Sequence, residues 1–308
     1  MISLKYPPPS GFLKAETRDG YLISEKMKEV WAVELDLAQE LLRVCGKHNL
    51  KIFAICGTLL GSIRHKGFVP WDDDVDFAMF RDDYKKLCQI AAEEFRDPYF
   101  WQESESGEEL VYGCAKLRNS NTTAIEKKRN LPYNQGIFID IFPIDNLSDG
   151  KMQRYLQKRK GNIYRTLTWG AAFFSTRFYK TGNAYIDFIK TSIHVLFGKL
   201  FRKLQPVFFK KMVTVSQQYN DNATNLCKIF VISSMRRDFH RESFAKSELN
   251  SFEFIEIPVM SGYEDVLKAL FGDNWRTPIQ APNGHGPIFF DADKPYSCYL
   301  NHSLNEKR

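Results

Sequence analysis

Apolar residues recur at helical spacing along residues 24–45, where Met27, Val30, Trp31, Leu35, Ala38, Leu41 and Leu42 form one stripe. Ser24 precedes the stripe as an N-cap, and Gly46 stands where a helix C-terminus is expected. Trp31 lies on the stripe, which makes it a core residue rather than a stacking platform for a ligand. A short apolar run, 52–56, then reads as a buried strand ending at a glycine turn. Residues 59–65 have the length of about two helical turns. Gly67 and Pro70 stop them, and VDFAMF (75–80) predicts a second strand. Helical spacing returns over 81–96 through Tyr84, Leu87, Cys88, Ala91 and Phe95. Short strands are predicted at 99–102 and 111–117, and residues 136–142 form a third core strand.

The pattern changes after residue 150. Ile189, Ile193, Leu196, Phe197, Leu200, Phe201 and Leu204 fall at helical spacing among basic residues, so at least one amphipathic helix with a basic face is predicted. Residues 212–247 read as helical and then irregular. FEFIEIPVM (252–260) alternates like a strand, and GYEDVLKALFGDNW reads as a helix followed by a glycine turn. The first 23 residues form a Pro-rich arm, with Pro7 to Pro9 favouring extended backbone. The expected organisation is an arm (1–23), a core (24–150), a basic aromatic helical region (151–250) and a C-terminal segment packing back on the core (251–308). The fold class is α+β, a mixed sheet flanked by helices with a basic helical insertion.

Composition narrows this picture. Over 308 residues, 44% hydrophobic and 26% charged content is that of a soluble globular chain. The 25 phenylalanines and 14 tyrosines point to extensive aromatic packing, or to surfaces that meet lipid or glycan. The 6 cysteines form no CxxC pair and no metal quartet, which fits a reduced, cytoplasmic protein. MISLKYPPPS has no apolar core of a secretory signal, and no stretch approaches 18 uninterrupted apolar residues, so neither export nor a membrane span is expected.

The candidate chemistry is acidic. On a strand over 75–80, Asp74 and Asp76 are two residues apart and face the same way, with Cα atoms about 6.6 Å apart. Two partly buried carboxylates on one face need a shared proton or a cation, and hard oxygen ligands select Mg²⁺ or Mn²⁺. Asp72 falls in the loop made by Pro70 and Trp71, and Asp73 points away. On the third strand Asp140 shares a face with Phe138, while Ile137, Ile139 and Ile141 take the other. An aspartate there is costly unless partnered. It is either bonded to backbone amides near a turn or a third metal carboxylate.

GTLLGSIRHKGFVPWDDDVD (57–76) resembles the signature of the LicD family, bacterial phosphocholine transferases related to fukutin. GIFIDIFPID (136–145) resembles the family's next motif, and KLRNSNT (116–122) the segment between them. A DxD alone is a weak signal; the three blocks together are specific. The resemblance is close over 24–145 and thins afterwards. It implies a nucleotidyltransferase-like sheet, with the glycine turn first, DxD on the following strand and the third carboxylate on a later one. It also implies a CDP-activated alcohol as donor and a cell-surface glycan as acceptor. Asp74, Asp76 and Asp140 would then be both the catalytic and the metal residues. The Gly57–Thr58 turn offers amides and a hydroxyl to phosphate, and Ser62 on the helix that follows joins it as a substrate-binding candidate. Arg64 and Lys116 are candidates for neutralising phosphate oxygens, against the bland reading of each as a surface ion pair. His65 is read as structural. The family's basic and histidine-rich end is replaced here by APNGHGPIFFDADKPY, which keeps His285 and loses the basic cluster, so acceptor and alcohol stay open.

Residues 151–211 carry fourteen Lys or Arg and one acid, Asp187, in a chain whose net charge is only +6. A solvated helical cap, a nucleic-acid surface and attachment to an anionic membrane face compete for this segment. No RNA-binding signature accompanies it, and peripheral contact with the inner leaflet, where lipid-linked glycans are assembled, suits it best. The expected activity is metal-dependent transfer of a phospho-alcohol, phosphocholine by family default, to lipopolysaccharide, teichoic acid or capsule. The alternatives are transfer of ribitol- or glycerol-phosphate or a nucleotidyl group on the same fold, or a non-catalytic peripheral membrane module.

Overall fold

The computed structural model of the chain describes residues 3–103, 113–126, 133–175, 183–232, 235, 237–280 and 287–299. His285 and the segment 111–112 of one expected strand lie outside them. The chain begins with the hairpin β1 (Glu16–Arg18) and β2 (Tyr21–Ile23), so the arm is more structured than its prolines suggest. Asp19 and Gly20 make the turn with φ of 49° and 75°, the left-handed pair that a two-residue hairpin loop requires. The arm is docked as well: Lys5 Nζ donates to Glu40 Oε2 (2.7 Å), and the Tyr6 amide donates to Asp36 Oδ1 (2.8 Å).

Helix α1 (Glu25–Lys47) is capped as expected, with the Met27 amide donating to Ser24 Oγ (3.2 Å). It continues past Gly46, where the sequence suggested a stop. Trp31 is fully buried and stacks on Phe68 at 4.3 Å with the rings 4° from parallel, in accord with its place on the apolar stripe. Then follow β3 (Phe53–Ala54), α2 (Cys56–Arg64), β4 (Asp76–Phe80), α3 (Arg81–Glu94), β5 (Tyr99–Gln102), β6 (Ala115–Asn119), β7 (Thr123–Glu126) and β8 (Ile137–Leu147). After the long helices α4 (Lys151–Ser175) and α5 (Ala184–Ser216) come β9 (Leu226–Lys228), β10 (Phe239–His240), β11 (Ser247–Phe252), β12 (Ile255–Met260), α6 (Tyr263–Phe271) and β13 (Ile288–Asp291).

The main sheet has 7 strands and is mixed, as the sequence suggested. Its axis is β8, 11 residues long, which runs parallel to β4 and antiparallel to β6 and β9. Ile137, Ile139 and Ile141 on one face of β8 are fully buried, and each such side chain contributes about 1.5–3 kcal/mol. Strands β9 and β10 join this sheet from residues that the sequence reading assigned to the helical region. The end of β8 is clamped to the start of α3. Arg81 donates from Nε to Asp145 Oδ1 (2.8 Å) and from Nη2 to Oδ2 (2.6 Å), with both side chains buried. Asn220 Nδ2 donates to the same carboxylate (2.7 Å).

Helices α4 and α5 pack against each other, and their outer ends meet at the sheet. Gln157 Nε2 donates to the carbonyls of Asn146 (3.0 Å), Val215 (3.3 Å) and Ser216 (3.3 Å), tying the exit of β8 to the end of α5. Part of the apolar stripe of the predicted amphipathic helix is on the surface, since Leu196, Phe197 and Leu200 are exposed. The partner helix, α4, covers only one side of α5.

Lys228 on β9 is 7% exposed, and its ammonium donates to Met235 Sδ at 3.8 Å. Burial lowers its pKa to about 8 from the usual 10.5. For a base held low in the folded state, the penalty is full below pH 8 and is relieved as pH rises from about 8 to 10.5, where the folded protein sheds the proton before the unfolded chain does. Lys228→Met is therefore expected to stabilise the protein by about 1–3 kcal/mol at pH 7, with the gain shrinking toward pH 10.5. Urea unfolding of both proteins across that range measures the difference.

Candidate active site

The site begins where two ladders share one residue. Asp140 is paired with Asp76 of β4 in the parallel register and with Lys116 of β6 in the antiparallel one. Directly paired residues project to the same face, so the three stand side by side across the sheet. Lys116 Nζ donates to Asp140 Oδ1 at 2.5 Å and lies 3.6 Å from the centre of the Phe138 ring, the residue expected to share that face. Asp76 is 8% exposed. Burial first, then the charges of Asp74, Asp140 and Asp72, push its carboxyl well above the usual carboxylate range, and only Lys116 acts the other way. A thiol flanks each acid: Cys114 Sγ contacts Asp140 Oδ1 at 3.8 Å, and the Cys56 thiol, itself pushed up by burial, is bonded to Asp76.

The strand starts one residue later than the sequence suggested, at Asp76, so Asp74 belongs to the loop ahead of it. The two-residue alternation therefore does not govern Asp72, Asp73 and Asp74, and their ligand oxygens gather within 4.8 Å of one another. Asp72 and Asp73, set aside by the strand reading, thus stand with Asp74. Gly57 explains how the loop comes so close. A Cβ at that position would lie 2.0 Å from Asp72 Oδ2, so only glycine lets this carboxylate rest on the first turn of α2. Cys56 just before it takes a left-handed φ of 50°, which swings the start of the helix toward the acids. From the other side the Trp31 indole donates to the Asp72 carbonyl (3.1 Å).

Glu34, one turn further along α1, escaped the sequence reading. It is 1% exposed, and its Oε2 has no hydrogen-bond partner among the described residues. Burial, followed by the charges of Asp74, Asp73, Asp72 and Asp76, drives its carboxyl well above the ordinary range.

The remaining candidates are engaged within the chain. The Asp76 amide donates to Thr58 Oγ1 (2.8 Å), so the hydroxyl, 2% exposed, fixes the start of β4. Ser62 is fully buried, donating to the Ser251 carbonyl (3.1 Å) and accepting from Asn250 Nδ2 (3.0 Å), which joins α2 to β11. Arg64 Nη1 donates to the carbonyls of Trp275 (2.9 Å) and Thr277 (3.4 Å), holding the segment after α6. His65 Nε2 bonds Asp19 of the arm (2.9 Å), a structural placement. The β11–β12 turn braces the loop that carries the acids, because Glu253 accepts from the Phe68 amide (3.0 Å) and from Arg18.

The donor set suits a hard divalent ion. With bonds of about 2.1 Å, oxygens around Mg²⁺ sit about 3 Å apart when adjacent and about 4.2 Å apart when opposite. The ligand oxygens of Asp72, Asp73 and Asp74 lie within 4.8 Å of one another, close to the wider of these spacings.

Comparison with known proteins agrees with the motifs. Residues 49–164 match the family model described as LicD/FKTN/FKRP, nucleotidyltransferase domain. Over 258 residues the chain is 25% identical to the lipopolysaccharide cholinephosphotransferase LicD of Haemophilus influenzae, covering 82% of this chain and 92% of that one. Shorter matches are to uncharacterized proteins of Rickettsia prowazekii (46% over 44 residues, 14% of this chain and 16% of that one) and Rickettsia typhi (39% over 71 residues, 23% and 22%). The row of Asp76, Asp140 and Lys116, with the aspartate loop beside it, falls inside the matched stretch, so these residues lie in a LicD-family domain spanning 49–164 of the chain.

Proposed function

We propose that the protein is a LicD-type phosphotransferase that moves a phospho-alcohol, phosphocholine first among them, from a CDP-activated donor to a cell-surface glycan such as lipopolysaccharide. The observation that carries this reading is the row of Asp76, Asp140 and Lys116 beside Asp72–Asp74, in a family whose relative in Haemophilus influenzae is a cholinephosphotransferase. In this reading the sheet is of the nucleotidyltransferase type.

The acceptor hydroxyl oxygen bonds to the phosphorus that carries the alcohol. The bond from that phosphorus to the bridging oxygen breaks, and CMP leaves. Asp74 and Asp76, with the rest of the loop, would hold Mg²⁺ or Mn²⁺, which when bound would neutralise charge on the diphosphate. Asp140 either joins that set or takes the acceptor's proton. Lys116, its partner in the row, meets a phosphate oxygen while balancing Asp140. Gly57 leaves room for a close approach at the start of α2.

Phosphorus NMR of the purified protein with Mg²⁺, a glycan acceptor and a panel of CDP-alcohols tests this. CDP-choline is expected to yield CMP. Turnover of CDP-ribitol or CDP-glycerol alone would reassign the alcohol, and turnover of none would leave a non-catalytic module.

The acceptor is met at a membrane surface. Tyr185, Ile189, Leu196, Leu200 and Val207 on α5 are between 40% and 74% exposed. At 100° per residue they fall within an arc of about 60°. Lys203, Lys210 and Lys211, all exposed, flank this arc. No helix among the described residues is long and apolar enough to cross a membrane. At about 1 kcal/mol for each basic residue, changing the three lysines to Gln is expected to weaken flotation with anionic vesicles at least tenfold. Raising salt from 0.1 M to 1 M shortens the screening length from about 10 to 3 Å and acts in the same direction. Equal flotation with neutral vesicles, unmoved by salt, would remove the lysines from the reading, and flotation with neither kind of vesicle would remove the membrane.

A further inference from the structure

We infer that Glu34 of α1 is a ligand of the divalent cation gathered by Asp72, Asp73 and Asp74, supplying a carboxylate oxygen from the helix side of the loop. The inference rests on the cation-dependent reading above and adds a residue that no sequence motif contains.

Its basis is geometric. The Trp31 indole bonds the Asp72 carbonyl at 3.1 Å, which fixes the face of α1 that meets the loop. Glu34 lies three residues on, one turn along that face. It sits between Val33 and Leu35, both fully buried, and is itself 1% exposed. A buried carboxylate oxygen without a donor is strongly disfavoured, yet Oε2 has none among the described residues. Cationic side chains do pack on this part of the helix, but they are committed elsewhere. Arg18 lies over Trp31 and pairs with Glu253, while Lys28 lies over the same ring and pairs with Glu16. Arg43, further along α1, pairs with Glu40. An acid kept in the core, with one oxygen short of a donor and within reach of the charges of Asp74, Asp73 and Asp72, carries its charge only beside a positive partner from outside the chain. Hard oxygen donors make that partner an ion of the Mg²⁺ or Mn²⁺ class.

The test is Mn²⁺ binding to the full-length protein, stripped with EDTA, measured by calorimetry and by the loss of free-ion signal in electron paramagnetic resonance. Glu34→Gln is nearly isosteric and is expected to weaken Mn²⁺ binding at least tenfold, the scale on which support of a metal site is lost. Glu34→Asp separates a ligand from a nearby charge. It keeps the charge and withdraws it by one methylene, so a ligand loses affinity severalfold while a bystander does not. Melting of each variant in EDTA reports folding, and Glu34→Asp carries the test should Glu34→Gln fail to fold. Wild-type affinity in Glu34→Asp overturns the inference alone, as does affinity within twofold of wild type in Glu34→Gln. A wild-type protein that binds no Mn²⁺ overturns both the inference and the cation-dependent reading.

Discussion

Asp76→Asn is expected to lower kcat by about 10³-fold or more while leaving the fold in place. The change removes one charged oxygen from the row, and a loss of about 4 kcal/mol of transition-state stabilisation corresponds to that factor. The fold is spared because of the charges around Asp76. In the cation-free protein the Asp76 carboxyl is already disfavoured by burial and by Asp74, Asp140 and Asp72, so an uncharged isostere relieves repulsion. Steady-state kinetics with Mg²⁺, paired with melting in EDTA, separates the two effects. A variant with low activity and an unchanged or higher melting temperature fits this role. One that loses both together would make Asp76 a residue of the fold.

The second large effect concerns the other aspartate of the GIFIDIFPID motif. Arg81→Met is expected to destabilise the protein by about 3–5 kcal/mol, since it leaves Asp145 buried with its guanidinium gone. At 1% exposure Asp145 retains the Asn220 amide, one donor in place of three. For a chain of this size that loss corresponds to a fall of about 5–8 °C in melting temperature. Combining Arg81→Met with Asp145→Leu should recover much of it, because a missing pair costs less than a stranded charge. Scanning calorimetry of the two variants provides the measurement. The two acids of this motif therefore divide their work, one facing the site and the other clamping α3 to β8.

Much of this arrangement is legible in local patterns. Helical periodicity and a serine cap mark α1, and two-residue alternation puts Asp140 on the face of Phe138. The Asp19–Gly20 pair signals the first hairpin, although the prolines ahead of it draw attention away. What stays hidden depends on neighbours distant in sequence. Nothing local says that Asp140 lies between Asp76 and Lys116, because that register is set by ladders spanning 24 and 64 positions. Glu34 reads as an ordinary acid on a helix until the loop 40 positions later is laid on it. Ser62 and Arg64 sit in a signature motif, yet their partners, Asn250 and Trp275, are near the other end of the chain. Strand β11 mostly faces solvent, so SELNSF has no alternation to betray it. The exposed stripe on α5 has the periodicity of a packed face, and periodicity alone does not reveal whether a partner covers it.

The tie made by Gln157 bears on how such proteins diverge. Because one side chain bonds the carbonyls at the exit of β8 and at the end of α5, the helical pair enters and leaves the sheet at almost the same point. To the sheet it is a closed detour, and doubling the length of such a detour adds only about 0.6 kcal/mol of closure entropy. The pair is therefore an exchangeable attachment. It can be lengthened, shortened or replaced by another surface while the strands on either side keep their register. Changes of length in the helical pair therefore leave the pairing of Asp140 with Asp76 and Lys116 untouched.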